Sequence, residues 1–144
     1  MYEVVVVGTD GSLTADKAVA RAAELVSQVG GSLHIVTAYR PSTPQKAGGE
    51  RASVSEEYDS GPSPDDEARA VLRSAGALAL QGGIAAETHA REGDPAKVLL
   101  SVSAELDAEL IVVGSKGVAR RIFGSVPNSV TQNASCDVLV VYTA

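Results

Sequence analysis

Glu3 to Ser12 reads EVVVVGTDGS, four consecutive valines running into a glycine and a group of small polar residues. β-branched side chains favour extended backbone, and an unbroken apolar run suits a strand covered on both faces of a sheet. After the polar break, Ala15, Ala18, Val19, Ala22, Leu25, Val26 and Val29 repeat at helical spacing until Gly30-Gly31 stops them. The spacing predicts strand, loop and amphipathic helix in succession. Ser32 to Ala38, SLHIVTA, reads as a second strand. The intervening helix is long enough to return the chain, so the two strands are expected to be parallel neighbours.

Working outward, the alternation continues. Asp65 to Gln81 carries a helical apolar pattern, with Asp65, Asp66 and Glu67 where a helix N-terminus welcomes negative charge. Ile84 to Ala90, IAAETHA, is the weakest strand pattern. Asp94 as N-cap and Pro95 at the first helical position then open a helix reaching Ala104. Glu109 to Gly114 and Asp137 to Tyr142 are further buried-type strands, separated by a short helix from Ser125 to about Asn133. Five strands alternating with four helices predict a three-layer parallel α/β fold, with 1–144 as one domain. Residues 41–63, rich in Pro, Ser, Gly, Glu and Gln without apolar period, are read as a mobile excursion with a helical turn near Val54 to Tyr58.

The net charge of −6 disfavours a nucleic-acid binder that relies on a broad basic surface. No apolar run approaches the ~20 residues needed to span a bilayer. A single cysteine, Cys136, and a start without a signal-like segment point to a cytoplasmic protein.

In a parallel sheet, ligands bind beyond the carboxyl ends of the strands, where strand order reverses. Two glycine-bearing loops, 8–12 and 114–124, emerge at that end. Gly114, Gly117 and Gly124 would let backbone amides approach an anion, Ser125 would add a hydroxyl, and the amides from Gly124 to Val126 open a helix. Pro127 removes one donor from that turn. Lys116, Arg120 and Arg121 could neutralise phosphates. The competing reading is that the glycines only make turns, Ser125 only caps the helix and the cations face solvent. Asp10 is placed either to accept a ribose hydroxyl or hold a phosphate-bridging Mg2+, or to bond its own loop amides or cap the next helix.

Other chemistries find less support. The Gly-Lys-Ser/Thr phosphate loop and the G-x-G-x-x-G dinucleotide pattern are both absent. His34 and His89 fall in predicted strands with no local cysteine or carboxylate cluster, so they read as structural histidines rather than zinc ligands. Cys136 lacks a partner, and Gly124-Ser125-Val126-Pro127 is not a nucleophile elbow. No general base for nucleotide hydrolysis is evident. The last strand has no helix after it, and as an edge it would expose pairing groups and apolar surface to a second copy.

VVVVGTDGS at 4–12, VVGSKG at 112–117 and FGSVPNSVTQNASCDVLVVYTA at 123–144 together resemble the universal stress protein family. The resemblance implies a Rossmann-like open sheet of order 3-2-1-4-5 and a homodimer through the last strand, 137–142. Gly114, Gly117, Gly124 and Ser125 resemble the ATP-binding pattern G-2x-G-9x-G-(S/T) of one branch. It further implies Asp10 near ribose and metal, with Thr9 beside it, and Ala38 near adenine. Only Val118 to Phe123, six residues, separate Gly117 from Gly124 where the pattern has nine. The expectation is a stress-response regulator or interaction module binding ATP with Mg2+, or else ADP or AMP. A nucleotide-free dimeric interaction protein and a slow ATP hydrolase are the rivals.

Overall fold

The computed structural model describes residues 2–41, 63–115 and 125–143. Its elements are β1 (Val4–Gly8), α1 (Leu13–Val29), β2 (Ser32–Tyr39), α2 (Pro64–Gln81), β3 (Glu87–Glu92), α3 (Pro95–Glu105), β4 (Leu110–Gly114), α4 (Ser125–Asn133) and β5 (Asp137–Val141). The five strands form one parallel sheet in the order β3-β2-β1-β4-β5, as the alternation and the family resemblance together predict.

Alternation of side chains along each strand sorts the core into two layers. Val5, Val7, Leu33, Ile35, Leu110 and Val112 pack under α1 and α2. Val6, Val36, Ile111 and Val113 face the opposite side, against α3 and Val130 of α4. Val5, Val6 and Val7 are fully buried, which is why β1 shows no hydrophobic alternation.

The helix ends follow their local sequence. Ser12 caps α1 by accepting from the Ala15 amide at 3.1 Å, and Gly30 closes the helix in the left-handed region at φ 88°. Ser63 and Asp66 form a reciprocal capping box on α2, so this helix begins at Pro64, one residue before the expected start. The expected excursion therefore ends against a capping residue, while 42–62 and the anticipated turn near Val54 lie outside the described residues.

β3 sits later than expected, at Glu87–Glu92 instead of 84–90. The Ile84 amide still donates to Ala79 O at the end of α2, and Ile84 and Ala86 pack against the core before pairing begins. Pairing starts where Glu87 meets His34 of β2. As an edge strand, β3 takes its position from β2 more than from its own apolar pattern.

Gly31 marks the tightest crossing between β1 and β2. A Cβ there would lie 2.2 Å from the Tyr2 carbonyl oxygen and 2.9 Å from that of Glu3. Both are backbone atoms, and Glu3 O is already held as the acceptor of the Ser32 amide at 2.9 Å. Gly31→Ala is therefore expected to cost about 1–3 kcal/mol or more, read by urea unfolding, whereas Gly30→Ala has open space around the added carbon and only backbone strain to bear.

Candidate functional site

Strand order reverses between β1 and β4, and a crevice opens at their carboxyl ends. Its cavity volume is about 100 Å3, with a mouth open to solvent. Its wall includes Val36 and Ala38 of β2, Gly8 at the end of β1 with Thr9 and Asp10 after it, Gly114 of β4 and Val126 of α4. Thr9, Asp10, Ala38, Gly114 and Val126, more than a hundred residues apart in sequence, thus border one space. Gly117, Gly124, Lys116, Arg120 and Arg121 lie outside the described residues.

Thr9 anchors the loop. Its amide donates to Val36 O at 3.0 Å, its carbonyl accepts from Thr37 Oγ1 at 2.7 Å, and its own hydroxyl oxygen accepts from the Gly11 amide at 3.1 Å. The buried threonine therefore fixes the loop against β2 and sets the direction of the next residue. Asp10 is exposed and accepts from the Ser12 amide through Oδ1 at 3.0 Å. That local bond is one of the two readings left open by sequence; helix capping belongs to Ser12. Asp10 also borders the crevice, and no hydrogen bond to its second carboxylate oxygen is seen among the described residues.

Gly114 has a packing reason to be glycine: a Cβ would lie 3.1 Å from Thr143 Cγ2. The next amide, of Ser115, donates to Val141 O at 2.7 Å, and the Thr143 amide donates to Ser115 Oγ at 3.1 Å. The first residues of the glycine loop are thus pinned to the C-terminal segment, which withdraws the Ser115 amide from ligand binding. α4 begins at Ser125, and Pro127 lies in its first turn.

The other wall comes from α3, which the sequence reading did not single out. Pro95 and Leu99 face Val36 and Ala38 across the crevice. Asp94 caps this helix by accepting from the Lys97 amide at 3.2 Å and lies 3.6 Å from the Arg40 guanidinium. The positive end of α3 is therefore satisfied by its own carboxylate, leaving an apolar wall. The Gly93-Asp94-Pro95 signal placed this helix start directly after an edge strand, at the same end of the sheet. Its Leu99 was indistinguishable from ordinary core.

A second cluster lies outside the crevice. His34 Nδ1 is 3.0 Å from His89 Nε2 and 3.8 Å from Glu87 Oε1. This corrects the expectation of isolated structural histidines without a carboxylate nearby. The cluster arises from the pairing register of β2 and β3, which local spacing does not encode. Burial, then the charges of His34 and Arg91, push the His89 imidazolium below its usual range, against the opposing pull of Glu87 and Glu105. Arg91 itself is held by Glu105 of α3 in a two-pronged pair at 2.9 and 3.1 Å. Burial raises the Cys136 thiol, with Asp137 adding to it, away from the reactive thiolate state.

Residues 1–142 match the universal stress protein family, and the chain belongs to it. The universal stress protein Rv1636 of Mycobacterium tuberculosis is 34% identical over 146 residues, spanning 99% of this chain and 97% of that protein. A universal stress protein solved in complex with cAMP superposes with a TM-score of 0.74 at 32% identity, covering 99% of this chain and 98% of the other. A family member from Burkholderia pseudomallei superposes with a TM-score of 0.71 at 28% identity, covering 99% and 97%. Among the described residues, no helix is long and apolar enough to cross a membrane.

Proposed function

We propose that this chain binds an adenine nucleotide in the crevice between the β1 and β4 ends and acts as a stress-response regulator whose occupancy alters its contacts with partners. The observation that carries the reading is the polarity gradient along the crevice wall. Val36, Ala38, Pro95 and Leu99 offer an apolar slot suited to a purine face, Asp10 borders the same crevice beyond β1, and Gly114 and Val126 line it toward the α4 entrance. The relative solved with cAMP supports the same ligand class.

A single phosphate is the best-supported form. The loop from Gly117 to Gly124 is three residues shorter than the family's ATP pattern, a loss of up to ~10 Å of contour for wrapping a polyphosphate. The Ser115 amide is also committed to Val141. ATP with Mg2+ is the second reading, favoured by the Gly114/Gly117 and Gly124-Ser125 spacing. Among the described residues lining the crevice, Asp10 alone would then supply a carboxylate, which suits an ion that keeps several waters and binds mainly through phosphates. Lys116, Arg120 and Arg121 would neutralise the phosphate charge in either case. Native mass spectrometry of gently purified protein is expected to show a co-purified adenine nucleotide. Protein that emerges empty and takes up none of cAMP, AMP, ADP or ATP contradicts the reading.

Dimerisation through β5 is the second part of the proposal. β5 pairs only with β4 among the described strands, and Leu139, Val140 and Tyr142 are exposed large apolar residues on or beside it. Antiparallel pairing with a second copy would satisfy the edge and cover that surface. Val140→Asp is expected to convert a dimer into a monomer in sedimentation velocity; a wild-type monomer, or a dimer unchanged by the substitution, refutes this interface.

A further inference from the structure

We propose that His34, Glu87 and His89 form a zinc-class metal site on the β2–β3 face, separate from the nucleotide crevice. Glu87 and His89 are two apart on an extended strand, so their side chains share a face, and Glu87 lies directly opposite His34 in the parallel register. Their ligand atoms all fall within 4.8 Å of one another, and no other group of three or more histidine, cysteine or acidic residues among the described residues does so. None of the three lines the crevice.

The two imidazoles meet nitrogen to nitrogen. Their centroids are 5.2 Å apart while Nδ1 of His34 and Nε2 of His89 are 3.0 Å apart. The centroid separation exceeds the nitrogen distance by about the two ring radii, so the nitrogens lie near the line joining the rings and share one proton between them. In a tetrahedral site with Zn–N bonds of about 2.0–2.1 Å, ligand nitrogens stand roughly 3.3 Å apart. A small opening of the pair and a tilt of each ring replace the shared proton with a cation. Glu87 can supply the third ligand, because its side chain is 75% exposed and free to swing inward.

The surroundings of His34 favour the ligand tautomer. Ser32 Oγ donates to Glu3 O at 3.1 Å, leaving its lone pair facing His34 Nε2 at 3.4 Å. A proton on Nε2 is thereby favoured, and Nδ1 is left with its lone pair toward His89 and Glu87. On metal binding, the His89 proton moves from Nε2 to Nδ1, so both rings remain neutral and no net proton need be released. Two imidazoles and one carboxylate leave a fourth position for water, the donor set of an open zinc site. The bound ion would clasp edge strand β3 to β2.

Zn2+ titrated into chelator-treated full-length protein by calorimetry is expected to bind with one equivalent and to raise the melting temperature. Glu87→Gln and His89→Gln should each weaken binding at least about tenfold. Co2+ used in place of Zn2+ should give the visible absorption of a tetrahedral centre, lost in His89→Gln. Glu87 is exposed, so its variant keeps the fold even where a histidine variant does not, and its melting curve without metal verifies this. Absence of Zn2+ binding to the wild type overturns the site, as does undiminished binding by folded Glu87→Gln.

Discussion

Ala38→Trp is expected to weaken adenine-nucleotide binding by at least about 100-fold, some 2.7 kcal/mol, while leaving the fold intact. Ala38 sits near the end of β2, half-buried, with its side chain on the row that carries Val36 and faces Pro95 and Leu99. An indole there would occupy the slot assigned to the purine. Ala38 lines the crevice at the margin of the layer packed under α3, so a larger ring can extend into the open space with little expansion of the core. Calorimetric titration of the variant gives the affinity, and an unchanged far-ultraviolet spectrum and melting temperature show that the scaffold survives. Wild-type affinity in a folded variant would place the base elsewhere.

The second large effect concerns the scaffold. Ile35→Ala is expected to cost about 2–5 kcal/mol, since transfer free energy is lost and a cavity remains where neighbours relax incompletely. Ile35 is fully buried at the middle of β2, paired to β1 on one side and β3 on the other, and packed in the layer beneath α1 and α2. Against a typical total of about 5–15 kcal/mol, that is a large share. Urea unfolding should show a lower midpoint at unchanged slope. Leu13→Ala is the contrast: Leu13 is 82% exposed at the start of α1, so the same chemical deletion should leave the midpoint almost unmoved. Comparable losses in the two variants would mean that the assigned core is misplaced.

These two cases also show which features the sequence made legible. β1 and β4 were readable because interior strands are covered on both faces, so their own residues declare their environment. β3 was displaced by about three residues because its polar sequence, ETHARE, suits an edge whose register is set by its neighbour. Helix ends followed local chemistry where a capping residue was present, as at Ser12 and Asp94. The competing start at Asp65 gave way to Ser63 because the capping box reaches back across Pro64.

The candidate site was legible in part for the same reasons. Thr9, Asp10 and Gly114 follow the ends of recognisable strands, and parallel topology brings those ends together without further information. Leu99 was hidden because an apolar residue on a helix reads as core whether it touches the sheet or a ligand. Gly114 carries two signals at once: its lack of a side chain suits anion access, and the close approach of Thr143 is a packing reason for the same residue. The His34–Glu87–His89 cluster was invisible because two strands 53 positions apart, 34 to 87, become neighbours only through sheet register.

The central claim is that the crevice at the β1 and β4 ends takes an adenine nucleotide, best with one phosphate. Isothermal titration of the wild-type, nucleotide-stripped chain with cAMP, AMP, ADP and ATP, the last two with and without Mg2+, tests it most directly. The account predicts saturable one-to-one binding, tightest for a mononucleotide and weakened by Asp10→Ala through loss of the ribose contact. Heat signals no different from buffer for all four nucleotides would contradict it.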